Sequence, residues 1–175
     1  LKNPKTAFLC LLFGIGPYMT LNEYKITKKF LPNNPVEEKM ISYSDTWQHI
    51  PTIYLLCMLN RPKIIVELGC RTGNTTIPML YAAKQYGGHV YSIDIENWPE
   101  IQNFTEEKKH LTDIWTFIKS DDLELKWDMP IDFLYIDTSH LYDHTIKELQ
   151  KYEPLVKSGG MIVLHDIFMP EVSNA

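Results

Sequence analysis

The chain has 175 residues, 45% of them hydrophobic and 22% charged, which suits one globular domain with a real core and argues against disorder. A formal net charge of -5 and a pI near 5.7 argue against a protein that relies on attraction to nucleic-acid phosphates. Cys10, Cys57 and Cys70 form no close pair and no C-x-x-C, so neither a disulfide framework nor a thiolate zinc site is indicated and the compartment reads as reducing, cytoplasmic.

From Ala7 to Ile15 an apolar run follows the basic residues Lys2 and Lys5. It resembles a signal peptide superficially, but it is too short to span a bilayer and has no convincing small-residue cleavage site. We expect it to pack on the core or on a dimer partner, with a secretory or membrane role as the lesser alternative. Residues 17–43 are punctuated by Pro and Asn, with Val36-Glu-Glu-Lys39 as a short helical candidate, and read as the rest of an N-terminal cap, residues 1–43, over the domain of residues 44–175. Ser44 or Asp45 then caps a helix that carries Trp47, Ile50, Ile53, Tyr54, Leu55, Leu56 and Met58 and ends near Asn60-Arg61-Pro62. Pro51 either kinks it or marks its first turn, and Tyr43 or Trp47 offers a weaker possibility of a substrate contact.

Ile64-Ile-Val66 is β-branched and continuously apolar, as in a parallel strand buried on both faces. Gly69 and Gly73 bracket a tight turn after it, and Asn74, Thr75 and Thr76 offer N-cap side chains for the next helix. Such a turn exposes backbone N–H groups to a ligand, and Glu67 at the strand end can accept its hydrogen bonds. A dinucleotide fingerprint or a P-loop is disfavoured, because Arg71 stands where a middle glycine would let a pyrophosphate approach. Glu67-Leu-Gly69-x-x-x-Gly73-Asn-Thr75 instead resembles the first motif of class I S-adenosylmethionine (SAM)-dependent methyltransferases, whose glycine turn passes the amino-acid end of the cofactor.

A helix from Ile77 to Tyr86 ends at Gly87-Gly88, and His89-Val-Tyr-Ser-Ile-Asp94 forms a second strand that closes in a carboxylate. An ionised carboxylate in that position receives the hydroxyls of a cofactor ribose. Residues 96–113 are polar, with Glu106-Glu-Lys-Lys109 on a solvated helix face. Trp115-Thr-Phe-Ile118 is a short third strand running into Ser120 and Asp121, where the resemblance places the adenine contact. Gly69, Cys70 and Gly73 complete the implied cofactor set with Glu67, Asp94, Ser120 and Asp121.

Ile131 to Asp137 and Met161 to Asp166 are a fourth and a fifth strand, each ending in acid, joined by a helix from about Leu141 to Tyr152 and a turn at Lys157-Ser-Gly-Gly160. As neighbours in a doubly wound sheet they bring Asp137, His165 and Asp166 together. Two close carboxylates repel unless a cation lies between them, so a divalent metal is the economical reading; oxygen ligands suggest Mg²⁺, Mn²⁺ or Ca²⁺, and the imidazole tilts the set toward Mn²⁺, Fe²⁺ or Zn²⁺. The alternative is a pair of strand-end carboxylates beside a packed core histidine. Ile136-Asp-Thr-Ser-His-Leu-Tyr-Asp143, Glu148-Leu149 and Pro154 to Ile167 resemble the metal-dependent small-molecule O-methyltransferases of the sugar, macrolide and cephalosporin-hydroxylase-like groups, over residues 44–167.

That resemblance implies an α/β doubly wound, Rossmann-like sheet with strand order 3-2-1-4-5. It implies SAM as cofactor, Asp137, His165 and Asp166 as ligands of Mg²⁺ or Mn²⁺, and His140 as the catalytic base, with His144 at most in a supporting place. A hydroxyl of a small molecule, a sugar or natural product, would be the acceptor, with neither nucleic acid nor membrane as a partner and a homo-oligomer possible. Two departures stand out. His165 replaces a carboxylate that many relatives carry, and Ala175 precedes the antiparallel sixth and seventh strands of the family, so those strands are expected to be missing, or the edge to be completed by another chain or a shortened variant. A catalytically silent cofactor-binding scaffold and a nucleotide-dependent oxidoreductase are the rival functions.

Overall fold

In a computed structural model of the chain, residues 7–10, 46, 49–100, 109–166 and 174 are described. The helix expected from Ser44 or Asp45 begins at Ile50 instead, with His49 as its N-cap; the helical candidate Val36–Lys39, the contacts considered for Tyr43 and Trp47, and the charged face at Glu106–Lys108 lie outside these residues.

The apolar runs form the strands of one parallel sheet. At its centre β2 (Ile64–Leu68) pairs with β3 (His89–Asp94) on one side and β5 (Ile131–Ile136) on the other; β4 (Trp115–Lys119) lies outside β3, and β6 (Val156–Leu164) outside β5. These five strands stand in the expected 3-2-1-4-5 order. Beyond β6 the chain supplies its own edge: β1 (Ala7–Cys10) pairs in parallel, Ala7 opposite Met161 and Cys10 opposite Leu164, making six strands among the described residues. The N-terminal apolar run, expected to pack on the core or on a dimer partner, thus gives backbone partners to the edge that the sequence leaves open. The turn expected at Lys157–Gly160 also takes a different form. Ile131 faces Val156 and Phe133 faces Met161, so the extra residues form a bulge inside β6, with Gly159 at φ 84°.

Both faces of the sheet are covered, which is why the strands are apolar at nearly every position. Ile65, Phe133, Tyr135 and Val163 pack with α1 (Ile50–Asn60) and α2 (Thr76–Tyr86); Val66, Leu68, Leu134, Ile136 and Ile162 pack with Tyr152 of α3 (Tyr142–Tyr152). Pro51 sits in the first turn of α1, where its missing N–H leaves no intrahelical bond unmade. α2 stops at Gly87, whose φ of 73° suits glycine. Thr75 does not cap α2 with its side chain, in contrast to the expectation, because its hydroxyl is directed elsewhere.

Register carries the fold to its site. Leu68 faces Ile93 and Ile136, and Ile136 faces Leu164, so the residues that follow each strand share one rim. The chain runs outward from β2 through β3 to β4 and then returns to the other side of β2 as β5, so the crevice of this doubly wound sheet lies between the ends of β2 and β5.

At the opposite end Asp132 ties three strands together: its Oδ2 accepts the N–H groups of Lys63 (2.9 Å) and Ile64 (2.8 Å), and Oδ1 pairs with Lys157 Nζ at 2.7 Å. Burial pushes this carboxyl up, but the Lys157 ammonium and the two N–H groups outweigh it and hold it below its ordinary value. Asp132→Ala is expected to cost about 1–3 kcal/mol in a denaturant titration. Because the folded value is depressed, the stabilisation is complete above about pH 4 and disappears as pH falls further through the folded value; the wild-type and variant stability curves should run parallel from neutrality to that point and converge below it.

Candidate functional site

The loop after β2 reaches the rim as a tight turn. Gly69 (φ 78°) donates its N–H to Ile93 O at 2.9 Å, Gly73 (φ 80°) donates to Cys70 O at 2.7 Å, and Arg71 between them is itself left-handed at φ 43°. A Cβ on Gly69 would lie 2.1 Å from the carbonyl oxygen of Asp137, so only glycine lets this loop lie against the end of β5.

Glu67 is placed beneath the loop. Fully buried, it accepts the hydroxyls of Thr75 (2.5 Å), Thr76 (2.7 Å) and Ser92 (2.5 Å), and Ser92 Oγ in turn accepts the Trp115 indole N–H at 3.1 Å. Burial pushes its carboxyl up to about 7 against the three hydroxyl bonds, with Asp137 adding to the rise. Asp94 holds the loop from the other side: Oδ2 accepts the N–H groups of Cys70 (3.0 Å) and Arg71 (2.8 Å), and Oδ1 that of Glu96 (2.9 Å).

On the β5 and β6 side the two strand ends meet. His140 Nε2 lies 3.0 Å from Asp137 Oδ1 and 3.2 Å from Asp166 Oδ2, while His165 Nδ1 lies 3.1 Å from Asp166 Oδ1 and 3.4 Å from Asp137 Oδ1. The four side chains each bring one ligand atom within 4.8 Å of the others. Burial raises the Asp137 carboxyl, yet the hydrogen bond from His140 and the nearby His165 hold it far below the ordinary range. The bond to Asp137 raises His140 although burial opposes it. Burial lowers His165, and the two carboxylates more than reverse that. Nε2 of His165 is buried without a hydrogen-bond partner, and its Nδ1 and Oδ1 of Asp166 have none beyond the close approaches just given. Its ring also meets that of His49 edge-on, with centroids 5.2 Å apart. His140 (φ 55°) and Asp166 (φ 52°) are left-handed, a conformation costly for non-glycine residues and concentrated here at the rim.

Two cavities that share Arg71, Asp137 and Thr138 form one cleft along this rim. One, of about 250 Å³, is lined by Gly69, Cys70, Arg71, Asn74, Asp137 and His140; the other, of about 320 Å³, by Asp94, Glu96, Trp98, Asp121, Asp122 and His144. Of the predicted residues, Gly69, Cys70, Asp94, Asp121, Asp137 and His140 line the cleft. Glu67, Gly73 and Ser120 do not line these cavities: Glu67 is engaged below the loop, Gly73 shapes the turn, and Ser120 bonds Asp94 O through its N–H and Asp121 O through its hydroxyl. Arg71 and Trp98 are cleft residues that sequence reasoning missed. Arg71 had been weighed only as the glycine it is not, and Trp98 is an isolated aromatic in the polar loop after β3. Cys57 and Cys70 are free and buried, and no helix among the described residues is long and apolar enough to cross a membrane.

Known proteins of the same fold show this arrangement of strands. An SAH-bound methyltransferase of Podospora anserina superposes with a TM-score of 0.55 at 16% identity, over 82% of this chain and 60% of that one. The O-methyltransferase TomG of Streptomyces achromogenes, solved in complex with SAM, gives 0.56 at 14% identity over 81% and 69%. TDP-rhamnose 3'-O-methyltransferase, an enzyme in calicheamicin biosynthesis, gives 0.57 at 18% identity over 89% and 83%. At these identities the likeness is one of fold, and this chain spans less than two thirds of the Podospora protein's length. The sequence itself matches the family model described as "Methyltransferase domain" over residues 66–167, from inside β2 to just past Asp166. With the motif-bearing rim and more than half of the chain inside that match, the protein belongs to the methyltransferase-domain family.

Proposed function

We propose that the protein transfers a methyl group from SAM to a hydroxyl of a small molecule, a sugar or natural product, with a divalent cation, Mg²⁺ or Mn²⁺, at the acid–imidazole cluster. The observation that carries this reading is the continuity of the cleft: the glycine loop and the Asp137–His140 side share its walls, with Asp166 buried 3.2 Å behind His140 Nε2. The SAM-bound state of TomG and the sugar acceptor named for the rhamnose enzyme support the cofactor and the acceptor class.

The cleft has the chemistry the cofactor requires. Gly69, Cys70 and Arg71 line the part of the cleft open to its amino-acid end, Asp94 and Glu96 offer carboxylates to its ribose, and the buried indole N–H of Trp98 has no acceptor among the described residues. Asp94 already accepts three N–H groups of its roughly four lone-pair directions, so Glu96 is the freer acceptor. When bound, SAM supplies a methyl on a positively charged sulfur.

The second group also fits. Two carboxylates and two imidazoles converge, and the buried Nε2 of His165 has no partner. When bound, the cation supplies positive charge that favours ionisation of a nearby hydroxyl. Asp137, His165 and Asp166 hold it. The hydrogen bond to Asp137, with the charges of Asp137 and Asp166, raises His140; once that charge is otherwise compensated, its Nε2 falls toward its ordinary value and takes the acceptor's proton. The protein's remaining contribution is to hold acceptor oxygen and methyl in line.

His140→Ala should leave SAM affinity nearly unchanged while turnover falls about 10²–10⁴-fold, and unchanged turnover would remove the base from this account. Dialysis against a chelator should lower turnover and Mn²⁺ restore it; activity indifferent to both rules out the cation. Gly69→Ala, with its Cβ inside the Asp137 carbonyl and its φ in the left-handed region, should weaken SAM binding at least about tenfold in calorimetry.

A further inference from the structure

Behind the cleft lies a second cluster that the proposed reaction does not use. Asp122 follows β4, His144 and Glu148 stand one turn apart on α3, and each brings a ligand atom within 4.8 Å of the others. His144 Nε2 is 3.2 Å from Asp122 Oδ1 and 3.6 Å from Glu148 Oε1. Glu148 is fully buried and Asp122 is 6% exposed. Thr138 donates its hydroxyl to Glu148 Oε1 at 2.8 Å, but Glu148 Oε2 and Asp122 Oδ2 are buried and face no donor other than a proton the two carboxyls could share.

The nearest ammonium does not answer these oxygens. Lys151 Nζ is engaged by the backbone carbonyls of Asp122 (2.6 Å), Leu123 (2.7 Å) and Leu125 (2.5 Å), and the Tyr152 hydroxyl also donates to Asp122 O at 2.7 Å. These bonds pin the Asp122 backbone to α3 and hold the cluster in place. Its carboxylates are left with one imidazole, and burial, then the hydrogen bond with the Asp122 carboxyl and its charge, raise the Glu148 carboxyl above the ordinary range.

We propose that Asp122, His144 and Glu148 form a second divalent-cation site, for Mn²⁺ or Zn²⁺, that opens onto the cleft. Two carboxylates and a neutral imidazole carry the charge that one such ion cancels, and the mixed oxygen and nitrogen donors favour these ions over Mg²⁺ or Ca²⁺. Asp122 and His144 line the same cavity as Asp94, Glu96 and Trp98, so this ion enters from the cofactor side; Asp137 borders that cavity too, but the two clusters share no ligand. It would also bind the loop after β4, one wall of the cleft, to α3.

Mn²⁺ binding by the full chain near neutral pH, counted from the free-ion paramagnetic resonance signal, tests the site. Glu148→Gln, nearly isosteric, and His144→Ala, at a half-buried position, should each lose one equivalent relative to wild type or weaken it at least tenfold, with circular dichroism unchanged. Asp166→Asn should leave that equivalent in place, which separates this site from the cation of the proposed reaction. Equal Mn²⁺ stoichiometry and affinity in wild type, Glu148→Gln and His144→Ala would overturn the proposal and leave a proton shared between Asp122 and Glu148 as the occupant.

Discussion

The site depends on one buried carboxylate. Glu67 sits on the central strand, fully out of water, and is tolerable there because three hydroxyls donate to it. Two of those hydroxyls, of Thr75 and Thr76, begin α2, so the bonds fasten the far end of the glycine loop to β2, and the third fastens β3 to the same point. The loop is thus held from below by Glu67 and from beside by Asp94, which takes two of its N–H groups. A loop so fixed presents its backbone to a ligand without having to be ordered by it, which reduces the entropy that binding must overcome.

The second constraint is steric. Gly69 and Asp137 meet at the switch between β2 and β5, at a distance no side chain allows. This contact brings the loop half of the cleft against the acid–imidazole half. In-phase strand ends do the rest, since Asp137 follows Ile136 on β5 and His165 follows its partner Leu164 on β6. Charge that would drive Asp137 and Asp166 apart is offset in this structure by His140 and His165, and in the proposed reaction by a cation. The left-handed backbone of His140 and Asp166 is the strain that this convergence entails.

The sheet was legible in the sequence because β2, β3 and β5 are apolar runs covered on both faces and end at glycine or acid. The gathering of Asp137, His165 and Asp166 follows from strand order, and His140 is added by the family resemblance. What escaped depended on contacts across the fold. Ser158-Gly-Gly160 has the composition of a turn, yet pairing with β5 carries β6 through it as a bulge, and the edge strand β1 comes from a run whose partner is more than a hundred residues away. Glu67 looked like a ligand acceptor because its hydroxyl donors lie 8, 9 and 25 residues away and meet only in three dimensions. His144 looked peripheral for the same reason: its neighbour Asp122 lies 22 residues back, beyond the turn that follows β4.

The cleft between the glycine loop and the acid–imidazole cluster suits a sulfonium cofactor and not a dinucleotide, and calorimetric titration of the chain with SAM and, separately, with NAD distinguishes the two. Saturable binding of SAM and none of NAD is expected. Binding of NAD without SAM, or of neither, would overturn this reading of the cleft.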